Sequence, residues 1–313
     1  MKTLLPVMAL WTWLCQPVWG QLVKIEVDFE QEQYLSHEPV MAAVRIINSS
    51  GRTLKLGAQP NWLRFSVRGS DGFDVAHRGD PPVIGAFDVP NSGRGTRRVD
   101  IAPYFDMGKA DRYRVTAVVR IPELGQEIVS APASINIING TKIWEQNFGL
   151  PQSGAAASPT IVIRKYALVQ ALFHNQTELY FRLTDENEDT VLKVYPLGPM
   201  LTFVDPEVKL DRESCLHLLF QVGARNFAYD VIRPDGETIV RHVYSYAASR
   251  PALRVKDDGT VGVLGGVRIL TRVDLPAENQ DGATTNITNA TPPTVVGTNA
   301  TAATNQPVTP PKP

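Results

Sequence analysis

Hydrophobic and polar positions alternate at period two along most of this chain, the signature of strands with one face in a core and one in water. The clearest run lies within residues 101–121. Tyr113, Val115, Ala117, Val119 and Ile121 share one face, while Arg114, Thr116 and Arg120 share the other. Asp106, Gly108 and Asp111 supply a turn before this strand, and Gly125 offers a reversal after it. Val23, Ile25, Val27 and Phe29 alternate in the same way with Lys24, Glu26, Asp28 and Glu30, which predicts a half-buried antiparallel strand. Further strands are expected over 39–47, 53–56, 62–67, 73–75, 99–101, 127–130 and 134–138, and the Pro- and Gly-rich stretch 77–95 is expected to cross between sheets. Seven or eight short strands in about 115 residues, with no long helix, is the arithmetic of an immunoglobulin-like sandwich.

Beyond residue 160 the apolar segments 161–163, 168–173, 179–183, 191–195, 201–204, 216–222, 227–232, 239–244, 253–255, 261–264 and 267–270 predict a second set of strands. Segments 179–195 and 228–244 echo one another, matching Tyr180 to Tyr229, Leu183 to Ile232, Glu188 to Glu237 and Tyr195 to Tyr244. Two such units cannot close a propeller, so a sandwich with two similar halves, or two similar hairpins, is expected. Between the two sets, Trp144 and Phe148 stand four apart, a spacing open to a helical turn, and 151–159 is a run of small uncharged residues. The pattern therefore predicts an all-β protein of two β-sandwich domains: an immunoglobulin-like one over 21–140 and a second over 160–272. Residues 141–159 are read as a joint and linker.

Composition changes this picture at the ends. Residues 1–20 carry Lys2, an apolar core over 4–14 and Pro17, and read as a secretory signal cleaved before Gln21. Residues 273–313 are dominated by Thr, Asn, Ala and Pro and are expected to be disordered; Asn286, Asn289 and Asn299 head glycosylation-type triplets there. Removing the leader leaves Cys215 as the one cysteine, so no intrachain disulfide is available and the cores must hold by apolar burial. A net charge of -1 without a basic stripe argues against a nucleic-acid partner. No later apolar run is long enough for a membrane span.

The order of the Asn48-Ser49-Ser50-Gly51 turn, Leu54-Lys55-Leu56, the strand 62–67, Asp71-Gly72 and Tyr113-Arg114-Val115-Thr116-Ala117 resembles bacterial immunoglobulin-like domains, among them the BsuPI type of the intracellular protease-inhibitor class. The resemblance covers the first domain alone. It implies an interaction or spacer module, and an inhibitor would present a rigid loop, for which 75–85 is the candidate.

Candidate chemistry adds little. Cys215 and His217 lie two apart on one strand and share a face, but a thiol–imidazole pair also needs a cleft and an orienting group. Their neighbours Leu216, Leu218, Leu219 and Phe220 predict core packing instead. His242 and Asp230 have no metal-ligand spacing, and the acidic turn 185–189 lacks the order of a calcium loop. No nucleophile-elbow, phosphate-loop or dinucleotide motif is present, so no cofactor is expected. Arg78-Gly79-Asp80, the integrin-ligand tripeptide, reads as a charged turn stiffened by Pro81 and Pro82. Arg94, Arg97 and Arg98 read as a solvated face, and Trp62 and Tyr104 as core. The resulting expectation is an exported, non-catalytic structural or interaction protein of the bacterial envelope or secreted fraction. Its partner would be a protein or an envelope polymer, met through loops or strand edges. Tyr229, Tyr244 and Tyr246 are the candidate aromatic strip, and Arg78 and Asp80 the candidate loop contacts. The alternatives are a secreted enzyme or carbohydrate-contacting accessory module with a site assembled from distant loops, and a protease inhibitor.

Overall fold

A computed structural model describes residues 22–152, 160–272 and 274. The leader, residues 153–159 of the expected linker and, apart from residue 274, the expected tail with its glycosylation-type triplets lie outside the described residues.

Ten strands build the first stack: β1 (Val23–Phe29), β2 (Gln33–Leu35), β3 (Met41–Asn48), β4 (Leu54–Leu56), β5 (Leu63–Arg68), β6 (Phe87–Val89), β7 (Arg94–Asp100), β8 (Asp111–Ile121), β9 (Gln126–Val129) and β10 (Ala133–Ile138). A three-stranded sheet, β1-β3-β7, faces a five-stranded one in which β2, β10, β8 and β5 lie in order and β9 also pairs with β8. The alternation of β8 is realised: Tyr113, Val115, Ala117, Val119 and Ile121 are buried against Val23, Ile25, Val44 and Ile46 of the facing sheet. Trp62 joins that core, its indole N–H donating to the Val83 carbonyl at 3.0 Å. The crossing over 77–95 contains β6 and the start of β7, two short pieces that composition had hidden.

The second stack contains β11 (Thr141–Gln152), β12 (Thr160–Phe173), β13 (Gln176–Asp185), β14 (Val191–Pro199), β15 (Glu207–Leu210), β16 (Leu216–Gln221), β17 (Asn226–Ile232), β18 (Thr238–Ser245), β19 (Ala252–Val255), β20 (Val261–Leu264) and β21 (Val267–Ile269). Sheet β11-β12-β13-β14 packs on sheet β15-β16-β17-β18-β21 through Tyr166, Leu168, Phe181, Leu183, Leu216, Leu218, Phe220 and Ile232. The sequence echo is one hairpin from each sheet, β13–β14 and β17–β18.

Three expected elements differ in the structure. The strand expected over 73–75 is reduced to an isolated bridge of Asp74 with Arg68. Residues 141–152 are not a joint but the edge strand β11, antiparallel to β12 along its length. Phe148 stacks on Tyr166 at 4.0 Å between centroids, so its burial favours extended backbone over a helical turn. Residues 201–204 form a turn, with Phe203 exposed, and the strand expected there is β15 further on.

Both sheets of the second stack are covered twice. The β19–β20 hairpin lies over the far side of the five-stranded sheet, where Leu253 meets Cys215, Leu219, Phe227 and Tyr229. The far side of the four-stranded sheet meets the first stack, where Leu35 and Ile138 pack on Val169, Ala171, Tyr180 and Val194. Gly140 is required at this seam. A Cβ there would press on Val169 Cγ1 and lie 2.8 Å from the Gln170 carbonyl oxygen.

Candidate interaction site

Strand β2 is only three residues long, and the chain turns at once through Ser36, His37 and Glu38 beside the seam. His37 takes a left-handed φ of 69°, unusual for a residue with a side chain. The turn is held from several sides. The Leu35 N–H donates to Glu38 Oε2 at 2.7 Å, and Ser36 Oγ donates to the Gly108 carbonyl at 2.6 Å and meets His37 Nδ1 at 2.9 Å. Burial pushes the Glu38 carboxyl up to about 7, against the pull of the Leu35 amide. Burial also raises Glu178 and lowers Arg182, and burial with the nearby Arg182 charge lowers His37.

Perturbed ionisable groups in a recess mark candidate sites, and a small recess lies beside this turn. It is about 70 Å³, lined by His37, Glu38, Arg78, Phe105, Asp106 and Met107 among others. At roughly 30 Å³ of liquid per water it suits a few waters, not an organic substrate.

The Glu38 shift has a consequence for stability. A carboxyl whose pKa is higher in the folded than in the unfolded chain takes up a proton on folding. Stability therefore falls as pH rises from 4.5 to about 7 and stays lower above it. His37, lowered by folding, works the other way below 6.5. Glu38→Gln keeps an acceptor for Leu35 without the charge. It is expected to raise stability at pH 8 by on the order of 3 kcal/mol and to flatten the profile, as read from urea midpoints at pH 5 and pH 8.

A second polar group lies under the β19–β20 hairpin. His217 Nδ1 is 2.8 Å from Tyr229 OH, and its Nε2 is 3.1 Å from Asp211 Oδ2. Asp211 Oδ1 accepts the backbone N–H groups of Glu213 and Cys215. The Cys215 thiol is buried, and desolvation pushes it up to about 11, the opposite of an activated thiolate. His217 is thus engaged with Asp211 and Tyr229, a polar chain enclosed in packing. Among the described residues no group of three or more His, Cys, Asp and Glu is placed to hold a metal ion, and no helix is long and apolar enough to cross a membrane.

The aromatic strip is divided by the hairpin. Tyr229 is only 7% exposed and belongs to the core beneath β19–β20, so it is not available to a partner. Tyr244 is half-buried, edge-on to Tyr229 with centroids 6.2 Å apart. Tyr246 lies just past β18 and is 42% exposed, with the Arg225 guanidinium 5.7 Å from its ring. Further aliphatic side chains that the sequence had not marked are exposed nearby in the chain: Leu264 on β20 at 65%, Val267 and Ile269 on the edge strand β21, and Leu270 just past it at 79%. Arg78 and Asp80 are exposed on a loop pinned by the Arg78 N–H to the Tyr104 carbonyl, by Arg78 to Asp106 at 3.4 Å and by His77 to Asp80 at 3.3 Å. Of the basic cluster, Arg97 lies 3.8 Å over the Phe87 ring and Arg98 is 3.8 Å from Glu30. The acidic turn is an ion-pair hub. Glu188 meets Lys142 at 2.8 Å and Lys165 at 2.9 Å, and these bonds bring its carboxyl down to about 2.

No family model and no curated protein matches this chain. Among solved structures, the sporulation control protein Spo0M from Bacillus subtilis aligns with 56% of this chain and 91% of its own, at 11% identity and a TM-score of 0.27. A similarity at that score carries no argument about this protein. The chain is all-β, with several sheets layered loosely in the manner of a β-sandwich.

Proposed function

We propose that this is an exported, non-catalytic interaction protein of the bacterial envelope or secreted fraction. Its partner is another protein, engaged along Tyr246, Leu264, Val267, Ile269 and Leu270. The observation that carries the reading is the run of exposed aliphatic side chains at the end of β20 and along the sheet-edge strand β21, Leu264, Val267, Ile269 and Leu270. Large exposed apolar patches on soluble proteins mark contact surfaces. A sugar-binding platform needs ring faces, and of the three tyrosines only Tyr246 offers one to solvent, so a protein fits better than a polysaccharide. In this reading residues 21–140 are an immunoglobulin-like module that holds the second stack in place through the seam.

The test is copurification from the exported fraction of the host, comparing the native chain with a Leu264→Glu, Leu270→Glu variant. Both positions are exposed, where substitutions move stability by about 0.5 kcal/mol or less. The expected result is loss of the partner at an unchanged melting temperature; a partner retained by the variant overturns the reading.

A second reading has one observation in its favour. Ile84 is 85% exposed on the 75–85 loop, which is pinned at Val83 by Trp62, and a protease inhibitor presents such a residue. In the same experiment an inhibitor would lose its target on Ile84→Asp and keep it on Leu264→Glu, Leu270→Glu.

A further inference from the structure

Strand β1 is an edge strand of its sheet, and its pairing with β3 fixes which of its backbone groups face outward. The Ser49 N–H donates to the Leu22 carbonyl. In an antiparallel ladder bonded pairs alternate, so Lys24, Glu26 and Asp28 bond to Ile47, Arg45 and Ala43. The N–H and C=O groups of Val23, Ile25 and Val27 therefore point away from β3, and among the described residues no strand pairs with them. At Phe29 the row ends, because its N–H donates to Asp28 Oδ1 at 3.0 Å. Beside this open edge runs a groove of about 570 Å³, lined by β1, Arg45 and the segment Val129, Ala131 and Pro132. Val129 is 58% exposed on that flank.

We propose that this edge pairs with the same edge of a second copy, joining two three-stranded sheets into one of six strands across a twofold axis. Charge selects the register. With Ile25 on the axis, Val23 faces Val27 of the second copy, and the outward groups of both strands meet as six backbone hydrogen bonds. On the solvent face Lys24 then lies opposite Glu26 of the other copy, twice by symmetry. Sliding one step of matching parity one way places Lys24 against Lys24; sliding the other way places Glu26 against Glu26, and although Lys24 then meets Asp28 twice, the like charges on the axis are destabilising. Glu26 already accepts Lys24 at 2.8 Å and Arg45 at 3.3 Å within one chain, and with Asp28 at the end of the strand the charges of each copy sum to zero. The dry faces also agree. Val23, Ile25 and Val27 face the interior on both copies, and the groove beside Val129 is closed by the neighbour. The edge carries no proline or inward charge of the kind that blocks strand addition.

The experiment is sedimentation of the purified protein over a rising concentration series, with Lys24→Glu, Glu26→Lys and the exchanged pair together. The native protein is expected to reach twice the chain mass. Each single substitution sets like charges opposite twice and is expected to weaken dimerisation about tenfold, and the exchanged pair restores it. Val27→Pro removes an outward donor from each copy and is expected to abolish the dimer while circular dichroism stays unchanged. A monomer at every concentration overturns the proposal, as does a dimer indifferent to the single charge reversals.

Discussion

Arg241→Ala is expected to cost about 3–5 kcal/mol at pH 8, the range for stranding one member of a buried ion pair. The partner that it strands is Asp230. This carboxylate is fully buried on β17, and its Oδ1 accepts the Arg241 Nε–H at 3.1 Å from the neighbouring strand β18. Its Oδ2 is enclosed and accepts no hydrogen bond from the described residues. Burial pushes the group up to about 6 even with Arg241 beside it, and without Arg241 it rises further. The sign follows from the proton count. A carboxyl raised on folding favours the folded state at low pH and loses that advantage as pH climbs from 3.8 through its folded pKa. At pH 5 the stranded acid is mostly neutral, so most of the loss is expected to return. Urea titrations of the native and substituted chains at pH 5 and pH 8 read the difference. An equal loss at both values would mean that Arg241 contributes by packing its stem and not by its charge.

Tyr166→Ala is the second large effect, again about 3–5 kcal/mol. Tyr166 is fully buried at the contact between the two sheets of the second stack, with Phe148 stacked on one side and Phe181 at 5.6 Å. Its hydroxyl crosses to the other sheet and donates to the Ser214 carbonyl at 3.0 Å. Ser214 has a left-handed φ of 62°, so this bond also steadies a turn that a serine adopts with some strain. Truncation leaves a cavity that Phe148 on an edge strand can only partly fill. Tyr166→Phe keeps the ring and is expected to cost about 1 kcal/mol. Thermal unfolding of the two variants separates the ring from the hydroxyl; equal losses would mean that the sheets are held by the hydrogen bond.

Much of this architecture is legible in the chain itself. The strict alternation of β1 and β8 requires one dry face, and those strands lie where the pattern puts them. The apolar residues on both faces of β16, Leu216, Leu218, Leu219 and Phe220, in a strand buried at every position, could be read as a strand covered on both sides. The apolar residues on both faces of β12 carry the same signal, and Val169 and Ala171 do meet the first stack while Tyr166 and Leu168 meet the second sheet. Strand β11 was not legible. Its charges, its Gly149 and its Pro151 dilute the pattern, and its burial rests chiefly on Phe148.

The candidate surface was legible only in part, for a reason of range. Tyr229, Tyr244 and Tyr246 have similar local surroundings in sequence, and what distinguishes them is a hairpin that folds back from residues 252–264. Periodicity says which side chains share a face. It does not say which face another element will cover. The Asp230–Arg241 pair is hidden in the same way, since two charged residues on successive strands look solvated until the facing sheet closes over one of them.

The most direct test of the interaction reading is site-specific photo-crosslinking in the living host, with the reactive group at position 270 and a control at the exposed Lys55 on the other stack. The expected result is one discrete protein adduct at position 270 and none at position 55. No adduct at position 270, or the same pattern from both positions, would contradict it.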